Sequence, residues 1–272
     1  MSKMISVIVP TLGNREAELK RLFKSFQEQT NKNFEVILVT QENHDCIDYL
    51  KTPELDLHHI KLNKKGLSYA RNRALEQIKG SIVTFSDDDC WYPPDSMERV
   101  ENAFTATCND IIVFQIYDPI SKKYYKEYKD SSNKKVFTRD IFRISSIEFF
   151  LKAESLKKAG VFFDEDFGLG TNYPSGEENV FIYDLFKSGL KIQYFPEVIV
   201  YHKKPETNSR LTEPQLKSKG PLFKRLFSTP IALILLFLFF LKKRRHINQP
   251  FNQLALAIRE AFIYKKNGGK LH

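Results

Sequence analysis

The stretch GSIVTFSDDDCWYPP, Gly80 to Pro94, sets a buried apolar strand directly against three aspartates. Side by side in a folded chain, Asp87, Asp88 and Asp89 repel one another, so the arrangement calls for a cation. Ser81–Phe85 reads as a short apolar strand, which puts the acids at its carboxyl end, where open α/β sheets bind ligands. Asp87 and Asp89, one residue apart, can face a single cleft. Magnesium and manganese prefer such oxygen ligands, completed by water and substrate phosphates. Three aspartates also suit a solvated turn. Their place after a buried strand and before Trp91, Tyr92 and two prolines favours a metal and nucleotide-diphosphate role instead.

Outward from this stretch, strand and helix patterns alternate. ISVIVP (Ile5–Pro10), FEVILV (Phe34–Val39) and HHIKL (His58–Leu62) read as strands. Glu16–Gln29 repeats Leu19, Leu22, Phe23 and Phe26 at helical spacing, and Gly66–Lys79 repeats Leu67, Ala70, Ala74, Leu75 and Ile78. The expected fold class is an α/β sandwich with a mainly parallel central sheet. A helix entered through prolines follows at Pro93–Phe104, then a strand at Asp110–Tyr117. Ser121–Lys135 reads as an exposed hairpin or loop and Ile147–Lys152 as a strand. Phe163–Asn179 is a loop, Glu177–Ser188 a helix, and KIQYF and VIVYH are two strands.

The composition, 42% hydrophobic and 28% charged over 272 residues, is that of a globular chain with a sizeable core. Cys46, Cys90 and Cys108 show no paired spacing and read as reduced thiols. The net charge of +9 is concentrated: residues 203–245 hold eleven Lys or Arg against two Glu, and the rest of the chain balances. A body so neutral argues against a nucleic-acid partner. The composition shifts near Lys204, which divides the chain into 1–204 and a basic, apolar, helical 205–272.

That segment carries LFSTPIALILLFLFFL, Leu226 to Leu241, between Lys224-Arg225 and Lys242-Lys243-Arg244-Arg245. Sixteen helical residues span roughly 24 Å, short of the ~30 Å core of a bilayer. The reading is a helix lying in or dipping into the cytoplasmic leaflet, its cations on anionic headgroups, with a buried core helix or a full single span as the alternatives. The amino terminus lacks the long apolar region of an export signal, so the expected location is cytoplasmic, on the inner face of the membrane.

Three further groups carry chemistry. In KKGLSYARNRAL (Lys64–Leu75), Gly66 and Ser68 open a helix whose first amides suit a phosphate, with Arg71 about one turn in. In GEEN, Glu177 and Glu178 stand at a loop-to-helix junction, where a carboxylate serves as a general base or simply as a favourable acid at a helix start. His202 ends the last strand and carries no weight by itself.

Taken in order, SVIVPT, GLSYARNRAL, FSDDDCWYP, FDEDFGLG with GEEN, and VIVYH resemble the inverting family-2 glycosyltransferases of GT-A fold, over about Ile5 to His202. The resemblance implies that Asp87 contacts the donor ribose and Asp89 the divalent cation, manganese or magnesium, with Asp88 between them. Pro10 and Thr11 border the nucleotide base, Ser68 and Arg71 lie beside the donor, and His202 approaches the metal. Glu178 matches the base of the family's acidic pair, which here reads Glu177-Glu178, so either glutamate fits. Trp91 is a candidate for the sugar or acceptor pocket. Where many members carry an aspartate pair that reads uracil, this chain has Thr40 and Gln41; Gln41 still pairs with a pyrimidine edge.

The implied reaction moves a sugar from a nucleotide-diphosphate donor, UDP-linked by expectation, to a glycan or lipid-linked acceptor of a surface polysaccharide, by single displacement. Ser121–Asp140 and Phe163–Ser175 are expected to set specificity. The rival readings are a sugar nucleotidyltransferase, disfavoured because VPTLGNREAEL holds one glycine rather than a phosphate loop, and a catalytically inactive membrane-attached scaffold.

Overall fold

The computed structural model describes residues 3–45, 47–128, 138–205 and 211–265. Its elements alternate in chain order. They are β1 (Ile5–Thr11), α1 (Glu16–Gln27), β2 (Phe34–Thr40), β3 (Asp56–Lys61), α2 (Leu67–Leu75), β4 (Ile82–Phe85), α3 (Ser96–Ala106), β5 (Ile111–Asp118) and β6 (Lys123–Tyr124). Then come α4 (Thr138–Ile141), β7 (Phe149–Lys152), α5 (Ala153–Ala159), α6 (Glu177–Lys187), β8 (Ile192–Tyr201) and four last helices. These are α7 (Glu213–Lys217), α8 (Lys219–Leu226), α9 (Thr229–Lys243) and α10 (Pro250–Ile263).

Every residue of β1, β2 and β4 is buried, as a strand covered on both faces requires. Alternate side chains serve two cores. Ile5, Val7 and Val9 pack with Leu22, Phe26 and Val100 of α1 and α3, whereas Ile8, Val83 and Phe85 pack with Ala74 and Phe181 of α2 and α6. The sheet order is β3-β2-β1-β4-β7-β5-β6, with β8 beside β5. β3, β2, β1 and β4 run parallel as expected; β7 is antiparallel to both its neighbours, so the sheet is mixed. Chain order reverses between β1 and β4, and the cleft beyond their carboxyl ends is where such a sheet takes a ligand.

Two expectations are corrected. KIQYF and VIVYH form one strand, β8; Pro196 lies within it, and the register against β5 shifts between Val113 and Ile116 to accommodate the irregularity. The helix expected from Pro93 starts at Ser96. The expected hairpin or loop at Ser121–Lys135 is a hairpin at its start; residues 129–137 lie outside the described residues, as does Cys46.

The last four helices close on the sheet domain. Leu222, Leu226 and Tyr264 share a cluster with Phe167 and Val180. A Cβ at Gly220 would stand 1.9 Å from the carbonyl oxygen of Ala257, so α8 and α10 meet backbone to backbone. Arg225, 7% exposed, donates through Nε to Asp164 at 2.7 Å and through Nη2 to Asp184 at 2.6 Å. Lys224 Nζ donates to the Tyr264 carbonyl at 2.9 Å. The two cations expected to meet headgroups ahead of the apolar run are therefore used inside the protein. Arg225→Ala strips a buried carboxylate of its partner and is expected to cost about 3 kcal/mol in chemical denaturation; a change below ~1 kcal/mol would mean that the pair does not anchor these helices.

The apolar run has two faces. Ala232, Leu236 and Phe240 of α9 are 1–3% exposed against α8 and α10, while Ile234, Phe237 and Leu238 are 52–60% exposed on the other side. No helix among the described residues is long and apolar enough to cross a membrane.

Candidate functional site

A cleft of about 510 Å³ opens beyond the carboxyl ends of β1, β2 and β4. Pro10 and Thr11 end β1, Gln41 follows β2, and Asp87, Asp88 and Asp89 follow β4; all line it, as do Arg71, Glu177, Glu178 and His202. The last strand reaches the acids through mutual backbone hydrogen bonds between Trp91 and Tyr201.

Each aspartate has a different setting. Asp88 accepts from Thr11 Oγ1 at 2.7 Å and from Arg15 Nη1 at 3.2 Å. Its burial pushes its pKa up against those partners. Asp87 lies 3.3 Å from Arg71 Nη2, and burial raises its pKa even so. Asp89 is paired with His202 Nε2 at 3.1 Å and Arg15 Nη1 at 2.7 Å. Burial alone would raise it; the hydrogen bond and charge of His202, with Arg15, outweigh burial and hold it at about 2. Desolvation would lower His202, but the hydrogen bond to Asp89 and then its charge raise it.

Ligand atoms of Asp87, Asp89, Cys90 and His202 lie within 4.8 Å of one another. Burial pushes the Cys90 thiol well up, so it stays neutral and is a poor ligand for a hard cation. Two carboxylates and an imidazole remain, a donor set that suits manganese or magnesium completed by phosphate oxygens. The guanidinium of Arg15 pairs with Asp88 and Asp89, which places one positive charge at the rim of the acid cluster.

Arg71 joins the two acidic groups. It is 1% exposed, donates to Ser146 Oγ at 2.9 Å, and sits 3.6 Å from Glu177. Its guanidinium stacks over Phe163 at 5.2 Å, and its Nε and Nη1 have no hydrogen-bond partner among the described residues. Nη2 lies 3.3 Å from Asp87, so this buried guanidinium brings a fixed positive charge to the cleft wall.

Gly176 precedes α6 at φ 97°, and Leu222 of α8 packs where its Cβ would be, 2.7 Å away. This turn sets Glu177 and Glu178 at the helix start. Glu177 is 7% exposed, and burial first, then the charge of Glu178, pushes it up to about 8 against the pull of Arg71. Glu178 is half-buried and open to the cleft.

Two expected residues lie elsewhere. Ser68 Oγ donates to the Phe167 carbonyl at 2.7 Å and is fully buried away from the cleft. Trp91 lies under the guanidinium of Arg21 at 3.8 Å and beside Tyr201, outside the lining. The phosphate-facing amides expected at the start of α2 are also engaged: Gly66 N–H donates to Gln41 Oε1 at 2.6 Å and Leu67 N–H to the Leu169 carbonyl at 2.9 Å. Of the pair that replaces the uracil-reading acids, Thr40 turns to His44 and His59, whereas Gln41 lines the cleft with its amide nitrogen left to donate.

Sequence reasoning missed Arg15, Lys65, Tyr125, Ser146 and Gln215, which also line the cleft. Arg15 had a signal, since it lies in the short turn between the carboxyl end of β1 and the start of α1. Gln215 had none: the chain returns from the last helices to complete the wall.

Residues 6–167 match the family model "Glycosyl transferase family 2". The chain is 39% identical over 92 residues to the GalNAc(5)-diNAcBac-PP-undecaprenol beta-1,3-glucosyltransferase of Campylobacter jejuni, covering 31% of this chain and 29% of that one. It spans less than two thirds of the length of the curated relatives it matches. Among solved structures, S. aureus TarS 1-349 in complex with UDP-GlcNAc superposes with TM-score 0.72 at 18% identity, covering 94% of this chain and 79% of TarS. The mannosyltransferase PcManGT of Pyrobaculum calidifontis, in complex with GDP-Man and Mn2+, does so with TM-score 0.58 at 16% identity, covering 97% and 82%.

Proposed function

The chain belongs to glycosyl transferase family 2, and from that premise we propose that it moves a sugar, with inversion, from a UDP-linked donor to a hydroxyl of a lipid-linked or glycan acceptor. The observation that carries the reading is the acid cluster at the end of β4, with Arg71 and the glutamate pair across one cleft. Residues 1–204 carry the transfer and 205–272 the attachment to a membrane.

The donor base lies against Pro10 and Thr11, where Gln41 donates to a pyrimidine carbonyl. Asp87, Asp89 and His202 would hold a divalent cation, and the structure of PcManGT is named as a complex with Mn2+. Such an ion supplies charge neutralisation at the departing diphosphate. Arg71 adds its positive charge at the cleft wall to the same anion. Glu178 takes the proton of the acceptor hydroxyl as that oxygen bonds to the anomeric carbon and the bond from carbon to diphosphate oxygen breaks. Glu177, protonated up to about pH 8, keeps a second negative charge away from Glu178. The test is a panel of sugar nucleotides with Mn2+, scored for nucleoside diphosphate release by the purified protein; release from one or two donors supports the reading, and release from none contradicts it.

The membrane reading rests on the outer face of the last helices. Ile234, Phe237, Leu238 and Phe251 are 52–84% exposed beside Lys242 to Arg245, an apolar face rimmed by cations that fits the inner, anionic face of the cell membrane. The C. jejuni relative is named for an undecaprenol-linked acceptor, which supports a bilayer-borne substrate here. The double substitution Phe237→Glu, Leu238→Glu is expected to lower co-sedimentation with phosphatidylglycerol vesicles by about tenfold or more, with thermal stability kept. Unchanged partition would remove the attachment from the account.

A further inference from the structure

A second pocket, of about 940 Å³, lies across the β6 hairpin from the catalytic cleft. Neighbouring residues point to opposite faces of a strand. Thus Tyr124 and Tyr201 line this pocket, while Tyr125 and His202, next to each in sequence, line the cleft. One hairpin and one strand end wall both.

The lining is of two kinds. Tyr117, Tyr124, Tyr128 and Tyr201 make an aromatic row, with ring centroids 5.4 Å apart for Tyr117 and Tyr124 and 5.9 Å for Tyr124 and Tyr128. Tyr124 is 49% exposed. Four lysines accompany the rings against Glu127. Lys126 is neutralised by Glu148, but among the described residues neither Lys122 nor Lys123 has a carboxylate partner. Among the described residues, Lys204 Nζ donates to the Tyr124 carbonyl, at 3.0 Å.

Two backbone features hold this wall. Asp118 accepts from the Ile120, Ser121 and Lys204 amides and from Ser121 Oγ, at 2.7–3.2 Å. Lys122 adopts φ +54°, a left-handed conformation where glycine or asparagine would be less strained. The hydrogen bonds to Asp118 hold the turn in which this strained residue sits.

We propose that this pocket is a non-catalytic subsite for an anionic stretch of glycan, the growing acceptor or its product. Sugar rings present apolar C–H faces to tyrosine rings and hydroxyls to tyrosine oxygens. Carboxylate or phosphate groups on the glycan meet Lys122, Lys123 and Lys204. Held there, the acceptor's reactive end reaches the cleft on the other side of the hairpin at raised local concentration. The proposal rests on the transferase reading, but its binding test does not.

The probes are hexameric oligogalacturonate, neutral maltohexaose and inorganic tripolyphosphate, titrated calorimetrically into the full chain. The geometry calls for binding of the oligogalacturonate above both others. Equal binding of maltohexaose would remove the role of the lysines, and equal binding of tripolyphosphate would remove the role of the rings; either overturns the subsite, as does no oligogalacturonate binding. Tyr124→Ala is expected to weaken oligogalacturonate about tenfold. Lys122→Gly is expected to weaken it about threefold while raising Tm, because the strain is relieved; a Tm rise with binding kept would make Lys122 a purely structural choice and refute its part. Donor hydrolysis without acceptor stays unchanged in both variants. If hydrolysis is absent from the parent protein, the transferase reading fails while the binding result still decides the subsite.

Discussion

Replacing Asp89 by asparagine is expected to lower sugar transfer about 10³-fold while the fold persists. The substitution keeps the shape and removes the charge. That charge is fixed in the native protein, since His202 at 3.1 Å and Arg15 at 2.7 Å hold the carboxyl at about 2. Without it, Asp87 and His202 alone form a weak cation site, and the departing diphosphate loses its neutralising partner. The effect on stability is modest and its sign follows from the shift. The folded pKa lies below the unfolded one, so the carboxylate stabilises the protein above about pH 4 and that contribution fades as pH falls through 2. At neutral pH the variant therefore melts slightly lower than the parent. Transfer assays across a Mn2+ titration check the claim, with circular dichroism as the folding control; parental turnover in the variant would refute the role of Asp89.

Glu178→Gln is expected to slow transfer by about 10²–10⁴-fold with donor binding unchanged, because the amide cannot take the acceptor proton. Its neighbour behaves otherwise. Glu177 is buried at 7% exposure against Arg71 and carries a proton at neutral pH, so Glu177→Gln is nearly isoelectronic with the native state. A raised folded pKa gives stability that is whole below the unfolded value of 4.5 and is lost as pH rises through about 8. The glutamine variant escapes that loss. Its Tm should exceed the parent's by a margin that widens between pH 5 and 8, with transfer reduced less than tenfold. If Glu177→Gln abolishes transfer and Glu178→Gln does not, the two roles exchange.

The parts of this site that were legible in the sequence are those fixed by local pattern. Asp87 to Asp89 follow an apolar strand, and Glu177-Glu178 follow a glycine turn, so their positions come from nearest neighbours in the chain. Ser68 was misplaced for the opposite reason. Helix spacing sets it one turn from Arg71, but its hydroxyl is taken by Phe167, 99 residues away, a contact no local pattern contains. Trp91 likewise reads as a pocket residue until Arg21 covers its ring. The single strand β8 was hidden by Pro196, which reads as a break and is tolerated because β5 shifts register beside it. In α9 the run is apolar all round, so composition could not tell a packed stripe from an exposed one. The split between Leu236 and Leu238 is decided by where α8 and α10 lie.

The most direct test of the central claim is a crystal of the protein grown with UDP and Mn2+, with the ion located by its anomalous signal. The account predicts a peak among Asp87, Asp89 and His202, bonded to the diphosphate, with Arg15 withdrawn from Asp89. UDP bound in the cleft with no ion there, and Arg15 still paired to Asp88 and Asp89, would contradict it.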